Sequence, residues 1–299
     1  MIITRKNGKY LDLTVPKQWE GLTIEQIFRD LWRAPKKIIH QFRMDKSVLV
    51  NGEIASFHYK LISDDILQIP LFIDEDSGIP LTPMNIHILY EDDHLIIVNK
   101  PPSISTHPNE KKETNTLLNG VSYYLFQKGE KRHVRQIHRL DKDTTGAILF
   151  GKHALITAML DQMLSERKIK RTYMAIVHGK LKKKKGTIHA KIGRDRHHPT
   201  KRRVSPTGQD AITHYEVLNY NDKKNTTLIT CTLDTGRTHQ IRVHLSSIGH
   251  PLVGDRLYGG KPDVQRPALH AKFLEFVHPI TLEYIRVEAP FIDHPPIFP

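Results

Sequence analysis

Cysteine is almost absent from this 299-residue chain. Cys231 alone permits no intrachain disulfide and no cysteine-based zinc cage. Long apolar runs are missing as well. No stretch approaches the roughly 18 consecutive apolar residues that a membrane-spanning helix needs. The N-terminal MIITRKNGKYLDLTV lacks the apolar segment of a secretory signal. A soluble, cytoplasmic protein with no membrane partner is therefore expected. Acidic residues are the third deficit: 45 Lys and Arg stand against 32 Asp and Glu, a formal net charge of +13. Hydrophobic residues still make up 38% and charged residues 26%, enough to bury a core and to exclude wholesale disorder.

The excess positive charge is local. Between Ser165 and Arg203 lie fifteen Lys or Arg against only Glu166 and Asp195, so this segment holds the whole imbalance. A basic stripe of this kind is the electrostatic footprint of a polyanion binder, nucleic acid first. Lys170, Arg171, Lys182, Lys183, Lys184, Lys185, Arg202 and Arg203 are its candidate nucleic-acid contacts. The bland alternative is a lysine-rich solvated loop around Lys182–Lys185.

Length predicts about two domains. Residues 1–73 read as a small α/β unit. Gly21-Leu-Thr-Ile opens a helical pattern with Leu22, Ile27, Leu31 and Trp32 near one face. Ala34-Pro35 breaks it, and Lys36–Met44 reads as a second helix whose Lys36, Lys37 and Arg43 are further candidate nucleic-acid contacts. Val48-Leu-Val runs into an Asn51-Gly52 turn, and Asp65–Ile69 is a strand. Residues 74–83, acidic with Gly and two prolines, read as a linker.

Residues 84–299 then carry many strands and few helices. Strands are expected at Ile86–Tyr90, Leu95–Asn99, Ala147–Phe150, Thr172–Val177, Ile188–Ile192, Ala211–Leu218, Thr227–Leu233, Leu269–Val277 and Leu282–Val287. Helices are expected at Thr114–Phe126, His153–Leu164 and Thr238–Ile248, the last capped by Thr238 and ended by Gly249. Without βα alternation this is an α+β fold on a mostly antiparallel sheet.

Several tempting motifs fail. Gly146–His153 nearly spells a phosphate-binding loop, but His153 replaces the hydroxyl and the intervening residues are those of a buried strand. No nucleotide cofactor is expected. Nineteen histidines include no metal-binding H-E-x-x-H pair, and His239 and His244, five apart, make a poor chelate. Cys231 sits mid-strand and reads as a packed small residue.

Polar residues concentrate instead at two junctions. The first is His138-Arg139-Leu140-Asp141-Lys142-Asp143-Thr144-Thr145-Gly146, before a buried strand. The second is Leu233-Asp234-Thr235-Gly236-Arg237-Thr238-His239-Gln240-Ile241-Arg242-Val243-His244-Leu245. Such density is costly to bury unless paired, so a site is expected here. These blocks strongly resemble the H-R-L-D-x-x-T-S-G and T-G-R-T-H-Q-I-R-V-H signatures of the RluA-type RNA pseudouridine synthases. Asn99-Lys100-Pro101 and Lys170-Arg171-Thr172-Tyr173 resemble two further blocks of that family, and the matches run in order from about residue 86 to 280. The residue 1–73 unit resembles the S4 RNA-binding fold, an arrangement seen in the family. A generic α/β appendage is its alternative.

The resemblance implies isomerisation of uridine in RNA to pseudouridine, breaking the N1–C1′ bond and reattaching the ring through C5. It implies Asp141 as the essential carboxylate and Tyr173 as an active-site aromatic. Tyr173 would stack on the base and serve in proton transfer at C5. An anion in a dry pocket needs a cationic partner, for which Arg237 is the candidate. Arg139 would fill the space left by a flipped base or grip a phosphate. The reaction has no redox change and no external group donor, so no cofactor is expected. Thr145 stands where the family usually has Ser. The expected partner is structured RNA, ribosomal before transfer RNA, and the expected state a monomer. The competing readings are a non-catalytic RNA-binding or ribosome-assembly protein and a nuclease or metal-dependent hydrolase. Arg139 and Lys142 around Asp141 and Asp143 disfavour the second.

Overall fold

A computed structural model describes residues 2–75, 78–110 and 113–299. The chain forms two principal sheets. The first, of order β1-β2-β5-β3-β4, contains β1 (Thr4–Asn7), β2 (Tyr10–Thr14), β3 (Leu49–Val50), β4 (Glu53–Ile54) and β5 (Ile66–Pro70). The β1–β2 hairpin adds two strands to those expected: β1 is a polar edge strand with no alternation, and the Asn7-Gly8 turn and the alternating Leu11 and Leu13 of β2 are the signals that mark it. Asn51 and Gly52 both take positive φ, as a tight hairpin turn requires. The first helical pattern is a short α1 (Ile24–Gln26) continued by a π turn over Ile27–Leu31. Thr23 and Gln26 cap it reciprocally. Leu31 falls on the exposed side of that turn, not on the apolar face. Pro35 precedes α2 (Lys36–Met44), whose Ile39 faces the core.

The second sheet runs β11-β14-β15-β10-β16-β9-β7-β6, with β17 also on β16 and β8 also on β9. Its early strands are β6 (Ile88–Glu91), β7 (Leu95–Lys100), β8 (Arg135–Gln136), β9 (Thr145–Gly151), β10 (Lys170–His178) and β11 (Lys185–His189). A separate hairpin pairs β12 (Ile192–Arg194) with β13 (Arg202–Val204), so the expected strand over 188–192 is in fact the ends of two. β14 (Ile212–Asn221), β15 (Thr226–Leu233), β16 (Leu269–Val277) and β17 (Tyr284–Glu288) complete it. The α+β reading holds: all pairs in this sheet are antiparallel except β9 with β16.

The alternation along β7 and β9 explains the layers. Ile96, Val98, Ile148 and Phe150 meet the apolar side of α3 (Leu117–Gln127). Leu95, Ile97, Ala147 and Leu149 meet α4 (Ala154–Ser165) on the other face. That second core is continuous with the small N-terminal domain. Phe72 lies edge-on to His153 and 5.6 Å from the His94 ring, and Arg33 pairs with Glu166. The expected linker is tied down in its described part. Glu75 N–H donates to the Lys131 carbonyl and the Asn119 side chain to that of Pro80. Asp76 and Ser77 lie outside the described residues.

Candidate active site

The turn carrying Asp141 arrives where β9 begins beside β16. Gly146 has φ +112°, and a Cβ there would lie 2.3 Å from the Ala271 carbonyl oxygen, so only glycine lets the two strands approach. The turn is fixed from behind. Thr106 Oγ1 donates to the Leu140 carbonyl and accepts from the Leu140 N–H. Lys100, fully buried, donates to the carbonyls of Pro101, Ile104 and Lys142 at 2.7–2.9 Å. Burial lowers its pKa to about 7, against the opposing pull of Asp143 and Asp141. The Thr145 hydroxyl is buried between Arg266 and His270.

Asp141 opens onto a cleft of about 650 Å³ lined by both signature blocks together with Arg167, Arg171, Tyr173 and Leu269. Its cation is Arg242. Nη1 of Arg242 lies 3.2 Å from Asp141 Oδ2, while Nε and Nη2 grip Asp255 bidentately at 2.7 and 2.9 Å. Asp255 is itself buried, so the guanidinium is oriented as a fork with one nitrogen left for Asp141. Burial disfavours the charge on Arg242, but Asp255 and Asp141 more than offset this and raise its pKa. The expected partner, Arg237, is corrected by this geometry. Arg237 is exposed on the loop before the helix, and its Nε donates to the Asp210 carbonyl at 3.0 Å. It lines the same cleft without pairing with Asp141.

Helix α5 (Gln240–Ser247) starts later than expected, and Thr238 is not its cap. His239 takes that position in the left-handed region, φ +58°, a strained backbone for a non-glycine residue. The Gln240 side chain instead reaches back to accept from Arg237 N–H and the Thr235 hydroxyl, and donates to the Ile212 carbonyl. His239 meets the Tyr258 hydroxyl at Nδ1, 2.8 Å, which leaves Nε2 3.9 Å from Asp141. Its own burial lowers its pKa despite Asp141. Tyr258 also accepts from the Arg202 N–H and lies under the Arg242 guanidinium, 5.0 Å away. Tyr173, buried on β10, forms another wall. Burial, helped by the Asp141 charge, raises its pKa, which keeps the phenol neutral.

The other expected contacts separate into groups. Arg139 is exposed and Arg171 half-buried in the cleft wall. Lys182, Lys183 and Lys184 are exposed between β10 and β11 and form no ion pair among the described residues. Lys185 pairs with Glu216 and Lys170 with Glu275. Arg202 and Arg203 lie on β13. Lys36 and Lys37 are exposed in the first turn of α2, whereas Arg43 pairs with Glu25 across the Phe57 ring.

Sequence reasoning missed Arg242, Asp255 and Tyr258. A signal for the first was present: Arg242 sits beside the apolar stripe Ile241, His244 and Leu245 of a helix buried on nearly every side. An arginine placed there needs a buried acid.

Elsewhere, His244 is held between Thr213 and the Ala190 carbonyl, a structural histidine. Cys231 is buried in β15 and burial pushes its thiol up to about 12. Lys152, the lysine of the false phosphate loop, is buried against Glu91 and Glu130. Among the described residues no cluster suits a metal ion, and no helix is long and apolar enough to cross a membrane.

Comparison with known proteins gives the family. Residues 94–247 match the family model described as RNA pseudouridylate synthase, and residues 11–67 match the RluD ribosomal pseudouridine synthase N-terminal domain. The chain is 46% identical over 287 residues to the RNA pseudouridine synthase YhcT of Bacillus subtilis, covering 96% of this chain and 95% of that one. It is 36% identical to ribosomal large subunit pseudouridine synthase D of Nitrosomonas europaea, over 97% and 87% of the two chains. Among solved structures, Human RNA Pseudouridylate Synthase Domain Containing 1 superposes with a TM-score of 0.57 at 25% identity, over 71% of this chain and 86% of that one. With a family model over residues 94–247 and relatives 36% and 46% identical over nearly its whole length, the chain belongs to the RluA family of RNA pseudouridine synthases.

Proposed function

We propose that the enzyme isomerises specific uridines of ribosomal RNA, with Asp141 as the essential carboxylate. The observation that carries this is the Asp141–Arg242–Asp255 chain. A carboxylate 17% exposed at a cleft mouth is kept beside a cation that a second, buried carboxylate fixes in direction. Such an anion is preorganised for the sugar of an extruded nucleoside, and no solvent need reorganise around it. The N1–C1′ bond breaks, the uracil turns, C5 bonds to C1′, and the proton lost from C5 is balanced by one gained at N1, so the product is an isomer. Tyr173 forms the neutral aromatic wall on which the base stacks. Arg139 and Arg171 meet the flanking phosphates or fill the space of the flipped base. No redox partner or group donor enters, so the reading needs no cofactor.

The ribosomal assignment rests on the names of the relatives and on the N-terminal match. The N-terminal domain, read as S4-like, supplies a second RNA contact through Lys36 and Lys37. Lys182–Lys184 add affinity without base choice. The enzyme is taken to work as a monomer in the cytoplasm.

Pseudouridine mapping of total RNA from host cells with and without the protein, complemented by wild type or Asp141→Ala, tests the reading. One or a few ribosomal sites should vanish and return only with wild type. Sites lost from transfer RNA would move the substrate. Sites restored by Asp141→Ala would leave the protein an RNA-binding factor.

A further inference from the structure

The C-terminal segment after β17 closes on the catalytic turn through a complete polar relay. Asp293, its side chain 4% exposed, takes both oxygens to Arg266, at 2.8 Å from Nε and 2.7 Å from Nη2. Arg266 is equally buried and uses its remaining hydrogens on the turn and its neighbour strand. Nη2 donates to Thr145 Oγ1 at 2.8 Å, and Nη1 to the carbonyls of Leu269 and Pro267 at 2.8 and 2.9 Å and more distantly to that of Asp143.

The relay returns to the same segment. His270 Nε2 meets the Ala289 carbonyl at 3.1 Å, so Nε2 carries the hydrogen. Burial holds this ring neutral, with a pKa of about 4. Its Nδ1 is therefore an acceptor, and the Thr145 hydroxyl donates to it at 2.7 Å. Every direction is then fixed: Arg266 gives to Asp293 and Thr145, Thr145 to His270, and His270 to Ala289. Phe291 and Phe298 stack at 4.7 Å, and both rings lie against His270, covering that end of the relay.

We propose that the C-terminal segment is a positioning strap for the catalytic turn, acting from Asp293 through Arg266 to the Thr145 hydroxyl and so setting where Asp141 sits. The proposal rests on Asp141 being the catalytic carboxylate. Asp293 and Arg266 touch no substrate, and their effect reaches the chemistry only through the turn. A guanidinium without its acid partner is free to leave the Thr145 hydroxyl and the Asp143 carbonyl, and the turn relaxes by a fraction of an ångström. A misplacement of a full ångström can lower rates about 100-fold, so a fraction of one should cost about 10-fold. The relay also assigns a purpose to the hydroxyl at position 145, which Thr and Ser provide equally.

The test is a kinetic comparison of wild type, Asp293→Asn, Thr145→Val, Thr145→Ser and the Asp293→Asn/Thr145→Val double variant. The full-length proteins are assayed on a ribosomal RNA transcript well below each variant's melting temperature. Asp293→Asn and Thr145→Val should each lower kcat about 10-fold or more with KM for RNA within twofold. Thr145→Ser should keep wild-type kcat. The double variant should be no slower than the slower single variant, because both break one relay. Unchanged kcat in Asp293→Asn, multiplicative losses in the double variant, or losses confined to KM would each overturn the strap. Should Asp293→Asn fail to fold, Thr145→Val against Thr145→Ser decides alone. An inactive wild type would instead refute the functional reading beneath it.

Discussion

Arg242 serves two acids, and the account requires that its two roles separate. At 3.2 Å and an effective dielectric near 20, its attraction for Asp141 is about 5 kcal/mol gross. Its fork on Asp255 joins groups that are 10% and 1% exposed. Replacing Arg242 by Met strands Asp255 as a buried, unpaired charge, which costs about 3–5 kcal/mol. A loss of about 3 kcal/mol lowers the melting temperature by roughly 6–12 °C. Adding Asp255→Leu removes that stranded charge, since the Asp255 carboxylate has no other hydrogen-bond partner among the described residues. Stability of the Arg242→Met/Asp255→Leu variant should return to within about 1 kcal/mol of wild type. Activity should not return, because Asp141 still lacks its cation. A loss of half the gross attraction corresponds to roughly 100-fold in kcat. The assay is urea unfolding followed by far-UV circular dichroism, beside single-turnover isomerisation of a transcript. Recovery of activity in the double variant would refute the reasoning. So would full activity of Arg242→Met.

Further outcomes follow from the same geometry. Arg237→Gln should change single-turnover kcat less than about threefold, because Arg237 donates to a backbone carbonyl and makes no pair with Asp141. Changing Lys182, Lys183 and Lys184 to Gln should reduce the slope of log affinity against log salt. The reduction should be roughly 0.7–0.9 for each phosphate no longer engaged, with chemistry at saturation unchanged. An unchanged slope would make them a solvated loop. Gly146→Ala should destabilise by about 3 kcal/mol or more, overpacking against Ala271 adding to backbone strain, and thermal melts will show it.

Acid should weaken the fold through His138, whose pKa burial, aided by Arg171, lowers to about 3. The folded state then binds fewer protons than the unfolded one, so stability is complete above pH 6.5 and is lost as pH falls from there toward 3. At pH 5 this one group contributes a loss of about 2 kcal/mol. Urea melts of wild type and His138→Gln at pH 7 and pH 5 will separate its share from that of other histidines.

Much of this site was legible in the sequence because its parts are local. The turn from His138 to Gly146 and the block from Thr235 to Leu245 each read as polar residues at an element junction, and each lines the cleft. The strands β7, β9, β10, β15 and β16 were legible because buried strands carry continuous or alternating apolar residues. The choice between Arg237 and Arg242 was not. Both arginines stand near the same junction, and which one turns inward depends on the left-handed His239 and on Asp255, residues whose meeting is tertiary. The strap was hidden for the same reason: Asp293 and Thr145 are brought together by Arg266 across the sheet. β1 escaped because its polar residues carry no periodicity and its pairing comes from β2.

The most direct test of the central claim uses purified protein and ribosomal RNA transcribed with uridine tritiated at C5. Joining C5 to C1′ must expel that hydrogen, so tritium release reports the isomerisation itself. Wild type should release tritium from a limited number of uridines without added metal or cofactor, and Asp141→Asn should release none while binding the RNA with unchanged affinity. Release by Asp141→Asn at the wild-type rate would contradict the assignment of the catalytic carboxylate.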